Sequence, residues 1–183
     1  IILYAANREQ AEAALRAAFA RIEQLDQVLS DYKESSEARQ LGRLAPMQQP
    51  HPVSEDLWRA LRVSQFVSQK SRGAFDVTVG PLSRLWRRAH RQGELPSLQR
   101  LSAARDAVGY RFLRLYPRSQ SVALSRPAMR LDFGGIGKGM AADAALRESI
   151  RKGVRSALVD CGGDISLGDA PPRSAGWRIG VAS

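Results

Sequence analysis

The feature that most restricts the fold is a change of hydrophobic period near Tyr110. Before it, apolar residues recur at helical spacing: Ala11, Ala14, Leu15, Ala18, Ile22, Leu25 and Leu29 mark one amphipathic helix from Arg8 to about Leu29. Ser54, followed by Glu55 and Asp56, is an N-cap with acids in the first turn, where the helix dipole favours them. The helix it opens carries Leu57, Trp58, Leu61, Phe66 and Val67 and ends near Gly73. "AFDVTVGPL" (74–82) is predicted as a short extended segment halted by Gly80-Pro81. Pro81 suits the first turn of a further helix, and Ser97 or Ser102 caps another that stops at Gly109. After Tyr110, "FLRLY" and "SVALS" flank "PRSQ" as a hairpin. "AMRLDF", "SALVD" and "WRIGV" are predicted strands, with "CGGDISLG" bending between the last two and a helix over Met140–Ile150. Helices first and antiparallel strands later specify an α+β chain rather than a doubly wound α/β one. The opening "IILYA" adds a strand, and Tyr32 lies in a polar break, "SDYKESSEAR", at the exit of the first helix.

Composition excludes some classes of function. At 183 residues the chain can bury a core, and no apolar run approaches the ~18 residues that cross a bilayer. Cys161 is the only cysteine, so no internal disulfide forms. The net charge of +10 comes from an arginine-rich set, with lysine only at 33, 70, 138 and 152. These arginines are scattered among acids, and the densest cluster, "RLWRRAHRQ", lacks an aromatic or glycine recognition motif. Solvated helix faces, and no nucleic acid, are the expectation. The chain starts without Met and stops inside a predicted strand, so both ends are expected to be cut.

One stretch concentrates chemistry: "LDFGGIGKGMAAD" (131–143) holds four glycines within six residues, beside Asp132 and Lys138. A Walker A loop fails, because Asp132 and Gly139 occupy its required Gly and Ser/Thr places. Gly137–Ala142 does match G-x-G-x-x-A, with Asp160 in the place of a ribose-binding acid, so a dinucleotide fingerprint stays open. A purely structural tight turn stays open as well. An acid ending a strand, glycine carbonyls and a lysine at a helix N-terminus together suit a pyrophosphate accompanied by a cation.

"GAFDVTVGPL" (73–82), "LDFGGIGKGMAAD" and "ALVDCGGDI" (157–165), with "HPVSEDL" ahead and "GWRIGV" behind, resemble the ApbE family of FAD:protein FMN transferases. The resemblance covers nearly the whole chain. It implies an α+β tunnelling-fold (T-fold-like) architecture incomplete at both ends, with residues 1–183 forming the N-terminal and central part of a single FAD-binding domain. It further implies Mg²⁺-dependent transfer of FMN from FAD to a Thr or Ser of a target flavoprotein, with release of AMP. A flavin-binding module or an FAD pyrophosphate hydrolase without transferase activity is the alternative. By motif position, Tyr32, Ala74, Phe75, Asp76, Asp132 and Lys138 would contact FAD, and Gly135 would offer its backbone carbonyl to the metal. Catalytic side chains and the remaining metal ligands are expected C-terminal to Ser183. By the same resemblance the protein is expected to be exported, periplasmic or lipid-anchored. "SEARQLG" departs from the family pattern, with Gly42 where Asn is usual.

Several of these residues have plainer readings. Phe75 reads equally as core, Asp76 as a cap before Thr78, and Asp160 and Asp164 as turn formers around Gly162-Gly163. Asp143 is expected in a first helical turn, Cys161 as a buried small side chain, and His51 and His90 on the surface.

Overall fold

The computed structural model describes residues 1–181 and divides into two compact units. One is contiguous, Asp26–Ile136; the other joins Ile1–Leu25 to the chain from Gly137 onward.

The discontinuous unit is a small antiparallel sheet with helices against it. Strand β5 (Ser156–Asp160) lies between β1 (Ile2–Tyr4) and β6 (Ile165–Leu167), in register Leu3↔Ala157 and Val159↔Ser166. Helix α1 (Arg8–Leu29) and a later helix over Gly137–Arg151 supply small residues. Ala18 packs with Ala142, Ala145 and Val159, and Ala14 with Val154 and Ala157. Alanines let helix and sheet backbones approach closely, which suits strands this short. No parallel pairing occurs in this sheet among the described residues, which removes the dinucleotide reading of Gly137–Ala142.

The contiguous unit begins with the end of α1 and then α2 (Glu37–Arg43), which sequence periodicity missed because it is two turns long inside a polar segment. Ser36 caps it by accepting from the Arg39 N–H, and Ala38 and Leu41 are its buried side. A second sheet orders β2 (His51–Pro52), β4 (Ser121–Leu124) and β3 (Leu113–Tyr116), all antiparallel. The β3–β4 pair is the hairpin expected from sequence, and β4 is buried along its whole length. Helix α3 (Glu55–Lys70) is capped by Ser54 as expected, and Gly73 at φ +88° donates to the Ser68 carbonyl. Its buried face is Leu57, Leu61, Ser64 and Ser68, while Phe66 points to solvent with Lys70 over its ring. Helix α4 (Gly80–Gln92) follows, with Pro81 in its first turn, and α5 (Leu98–Asp106) is capped by Ser97. Ser102 lies inside α5, which stops at Asp106.

Three predicted strands change. "AMRLDF" forms no strand: it makes one parallel bridge, Val79↔Arg130, and one bond from the Asp132 N–H to the Val77 carbonyl. "WRIGV" has no strand pairing, whereas "CGGDISLG", read as a bend, contains β6. The helix α6 (Gly137–Arg151) starts three residues earlier than predicted and takes Gly137, Lys138 and Gly139 into its first turn.

Candidate functional site

In the contiguous unit the segment 73–79 is curled rather than extended, and Asp76 is the cause. Its Oδ1 accepts from the Thr78 N–H at 2.8 Å and the Thr78 hydroxyl at 2.7 Å, and its Oδ2 accepts from the Tyr110 N–H at 2.7 Å. Thr78, fully buried, accepts in turn from the Gly109 N–H at 2.8 Å. The turn-capping reading of Asp76 therefore holds, and it extends to the start of the β3 segment. Ala74 is exposed on this curl. Phe75 is half-buried, and its ring edge lies 3.1 Å from where a Cβ on Gly135 would stand. A larger residue at 135 would push the ring aside, so the close approach explains that glycine.

Asp132 is held between backbone and guanidinium. One oxygen accepts from the Gly134 N–H at 2.9 Å and the other from Arg87 at 3.1 Å. The same Arg87 nitrogen is hydrogen-bonded to Asp31, and the guanidinium lies 4.8 Å from the centre of the Tyr32 ring. The bond to Asp31 pushes the Arg87 pKa above its ordinary value. Tyr32 is 76% exposed, which leaves its other face open. Tyr32, Arg87, Trp86, Asp132 and Gly134 share an open cleft of about 620 Å³. The fold thus brings Tyr32 and Asp132 together, and separately Phe75 and Gly135. Arg87 and Asp31 were not singled out from the sequence. The only signal was an acid directly before Tyr32, whose cation lay hidden in an arginine run read as solvated.

In the discontinuous unit Lys138 reaches Asp164 at 3.2 Å and the Gly162 carbonyl at 3.5 Å. Gly162 and Gly163 have φ of +69° and +95°, and Asp160 accepts from the Gly163 N–H at 2.8 Å. Asp160 is a turn former as read, while Asp164 also serves as the carboxylate of the lysine. Asp143 lies beyond the first turn of α6 and accepts from the Ser166 hydroxyl, so a strand contact rather than the helix dipole explains it. Cys161 is partly buried, and loss of solvent, with Asp160 nearby, pushes its thiol pKa up. His51 and His90 are exposed.

Among the described residues no three His, Cys, Asp or Glu side chains stand together as a metal site. Gly135 contributes a backbone oxygen at most, so these residues alone do not fit a resident divalent cation.

A model of the ApbE family matches residues 1–183. The chain is 29% identical over 160 residues to the FAD:protein FMN transferase of Escherichia coli K12, covering 85% of this chain and 45% of that protein. It is 29% identical over 185 residues to the protein of the same name from Treponema pallidum, covering 94% and 51%. The chain therefore spans about half the length of the curated relatives it matches. The apo crystal structure of the Pseudomonas stutzeri flavinyl transferase ApbE superposes with a TM-score of 0.83 at 29% identity, over 93% of this chain and 54% of that one. The ApbE protein of Thermotoga maritima gives 0.87 at 22% identity over 100% and 59%, a likeness of fold.

Proposed function

This chain belongs to the ApbE family, and from that premise we propose that the protein it forms transfers FMN from FAD to a protein hydroxyl. The hydroxyl oxygen of an acceptor Thr or Ser attacks the FMN phosphorus and the pyrophosphate P–O bond breaks. AMP leaves, and the hydroxyl proton passes to solvent. The observation that carries this reading is the family match along all of residues 1–183, together with relatives that bear one activity name.

The geometry supports a flavin at the contiguous unit. A ring system can lie in the cleft against the exposed Tyr32 face and Trp86, with Arg87 and Asp132 as polar contacts. Ala74, Phe75 and Asp76 are further FAD contacts in this proposal, and Asp76 also fixes the local backbone. By the family resemblance alone, Lys138, on the first turn of α6 and paired with Asp164, is proposed as a phosphate contact. Mg²⁺ belongs to the proposal for the whole protein, with the Gly135 carbonyl as one ligand. The described residues do not complete its shell. Export to the periplasm or a membrane surface is proposed on the same resemblance.

The test incubates the gene product carrying these residues with FAD, Mg²⁺ and a flavoprotein acceptor, and reads covalent FMN by mass and AMP in equal amount. FAD titrations of Lys138→Ala and Asp132→Ala accompany it. Stoichiometric FMN ester and weakened FAD binding in both variants are expected. FAD binding without ester would favour the flavin-holding alternative, and unchanged affinity in both variants would sink the site assignment.

A further inference from the structure

Beside the flavin cleft, the contiguous unit holds a second cavity of about 290 Å³, lined by five arginines but only two acids, Asp31 and Glu34. Two of the arginines are already paired: Arg39 with Glu34, and Arg87 with Asp31 and Asp132. Glu34 is further drawn on by Arg43. Arg84, Arg91 and Arg130 have no carboxylate within ion-pair distance among the described residues.

Arg130 is the most constrained of the three. Its backbone bridges Val79. Gly80 lets it lie so close that a Cβ there would be 2.7 Å from the Arg130 carbonyl oxygen. Gly42 similarly admits the Met129 carbonyl at 3.3 Å. Two glycines and a bridge thus hold the Arg130 backbone in place, and its half-buried side chain feels the charges of Arg84 and Arg39. Loss of solvent, then Arg84 and Arg39, hold its pKa below the ordinary arginine value. Burying an unpaired charge among like charges is costly unless an anion arrives.

We propose that this arginine cavity, which adjoins the flavin cleft and shares Asp31, Tyr32, Arg87 and Arg91 with it, is a second binding site, for a small phosphate-bearing anion. The surplus of three positive charges calls for more than one negative charge, which a single carboxylate does not supply. The volume suits a compact small molecule rather than a polypeptide segment. Planar guanidinium forks are the donors that match phosphate oxygens in pairs.

Calorimetric titration with inorganic pyrophosphate, with and without saturating FAD, tests the site in the wild type and in Arg84→Gln and Arg130→Gln. Arg84 is exposed on α4, so its variant removes charge without removing core. Pyrophosphate should bind in both conditions, and each variant should weaken it about tenfold or more. Arg130→Lys should retain part of the binding. No pyrophosphate binding, binding that FAD abolishes, or binding indifferent to both Gln variants would overturn the proposal. The flavin reading is not needed for it: if FAD fails to bind, the pyrophosphate titration still reports on the arginines.

Discussion

Asp76 shows how one carboxylate can organise the backbone around a site. It satisfies two backbone N–H groups and a buried hydroxyl, and through Thr78 it reaches Gly109. Asp76→Ala strands those donors and should cost about 3 kcal/mol, measured by urea unfolding. Asp76→Asn keeps an oxygen acceptor and should cost about 1 kcal/mol; equal losses in the two variants would refute the hydrogen-bond account. The turn half of this role was legible, because Asp two residues before Thr is a local pattern. The bond to Tyr110 was not, since nothing local links positions 76 and 110. Cys161 makes the opposite case, a reactive type that its surroundings quieten. Burial and Asp160 raise its thiol pKa, so less thiolate exists at pH 7 than for a free cysteine. Its alkylation rate should still be climbing past about pH 8.5, the ordinary thiol value. A rate that levels off below that pH would show the opposite shift.

Elements were legible where a pattern repeats and opaque where pairing is sparse. Helix α1 buries Ala14, Ala18, Leu25 and Leu29, all predicted from spacing, and the β3–β4 hairpin stands where alternating runs flank a turn. "AMRLDF" has strand composition, but its neighbour 74–79 is curled around Asp76 and can offer only Val77 and Val79. "WRIGV" fails similarly: the Trp177 indole donates to the Asp169 carbonyl at 3.0 Å, and Ile179 and Val181 stay exposed. Phe66 stays exposed, because the buried α3 face is set by Leu57 and Leu61. One and two turns on, that face presents Ser64 and Ser68, whose hydroxyls are buried with no hydrogen-bond partner. Each carries a desolvation cost that alanine lacks. Ser64→Ala and Ser68→Ala should each stabilise by about 1 kcal/mol, read as a raised urea midpoint with unchanged slope. A loss of stability in both would mean that the hydroxyls do find partners.

At the scale of the whole molecule, the family motif 131–143 is divided by the fold. Asp132 to Ile136 belong to the contiguous unit, and Gly137 onward to the discontinuous one. The α+β class was legible because helix-period and strand-period segments separate along the chain. The return of the late strands to the first residues was not, since no local pattern ties Leu3 to Ala157. That return has a consequence for stability. Strand β5 is central only because β1 covers one edge, and its buried Ala157 and Val159 pack against Ala14 and Ala18 of α1. Removing residues 1–25 would expose that edge and uncover the alanine face of α6 together with Val154. Three-residue strands have few hydrogen bonds to lose before a sheet of this size opens. The β3–β4 pair draws its ladder and its buried Leu113, Val122 and Leu124 from within 26–136. Hydrogen exchange on the truncated chain should therefore show β5 and β6 amides exchanging at close to unprotected rates, while Leu113–Tyr116 and Ser121–Leu124 keep measurable protection. Adding a peptide of residues 1–25 should restore part of the β5 protection. Protection of β5 that survives the truncation undiminished would show that β1 and α1 are dispensable to this sheet.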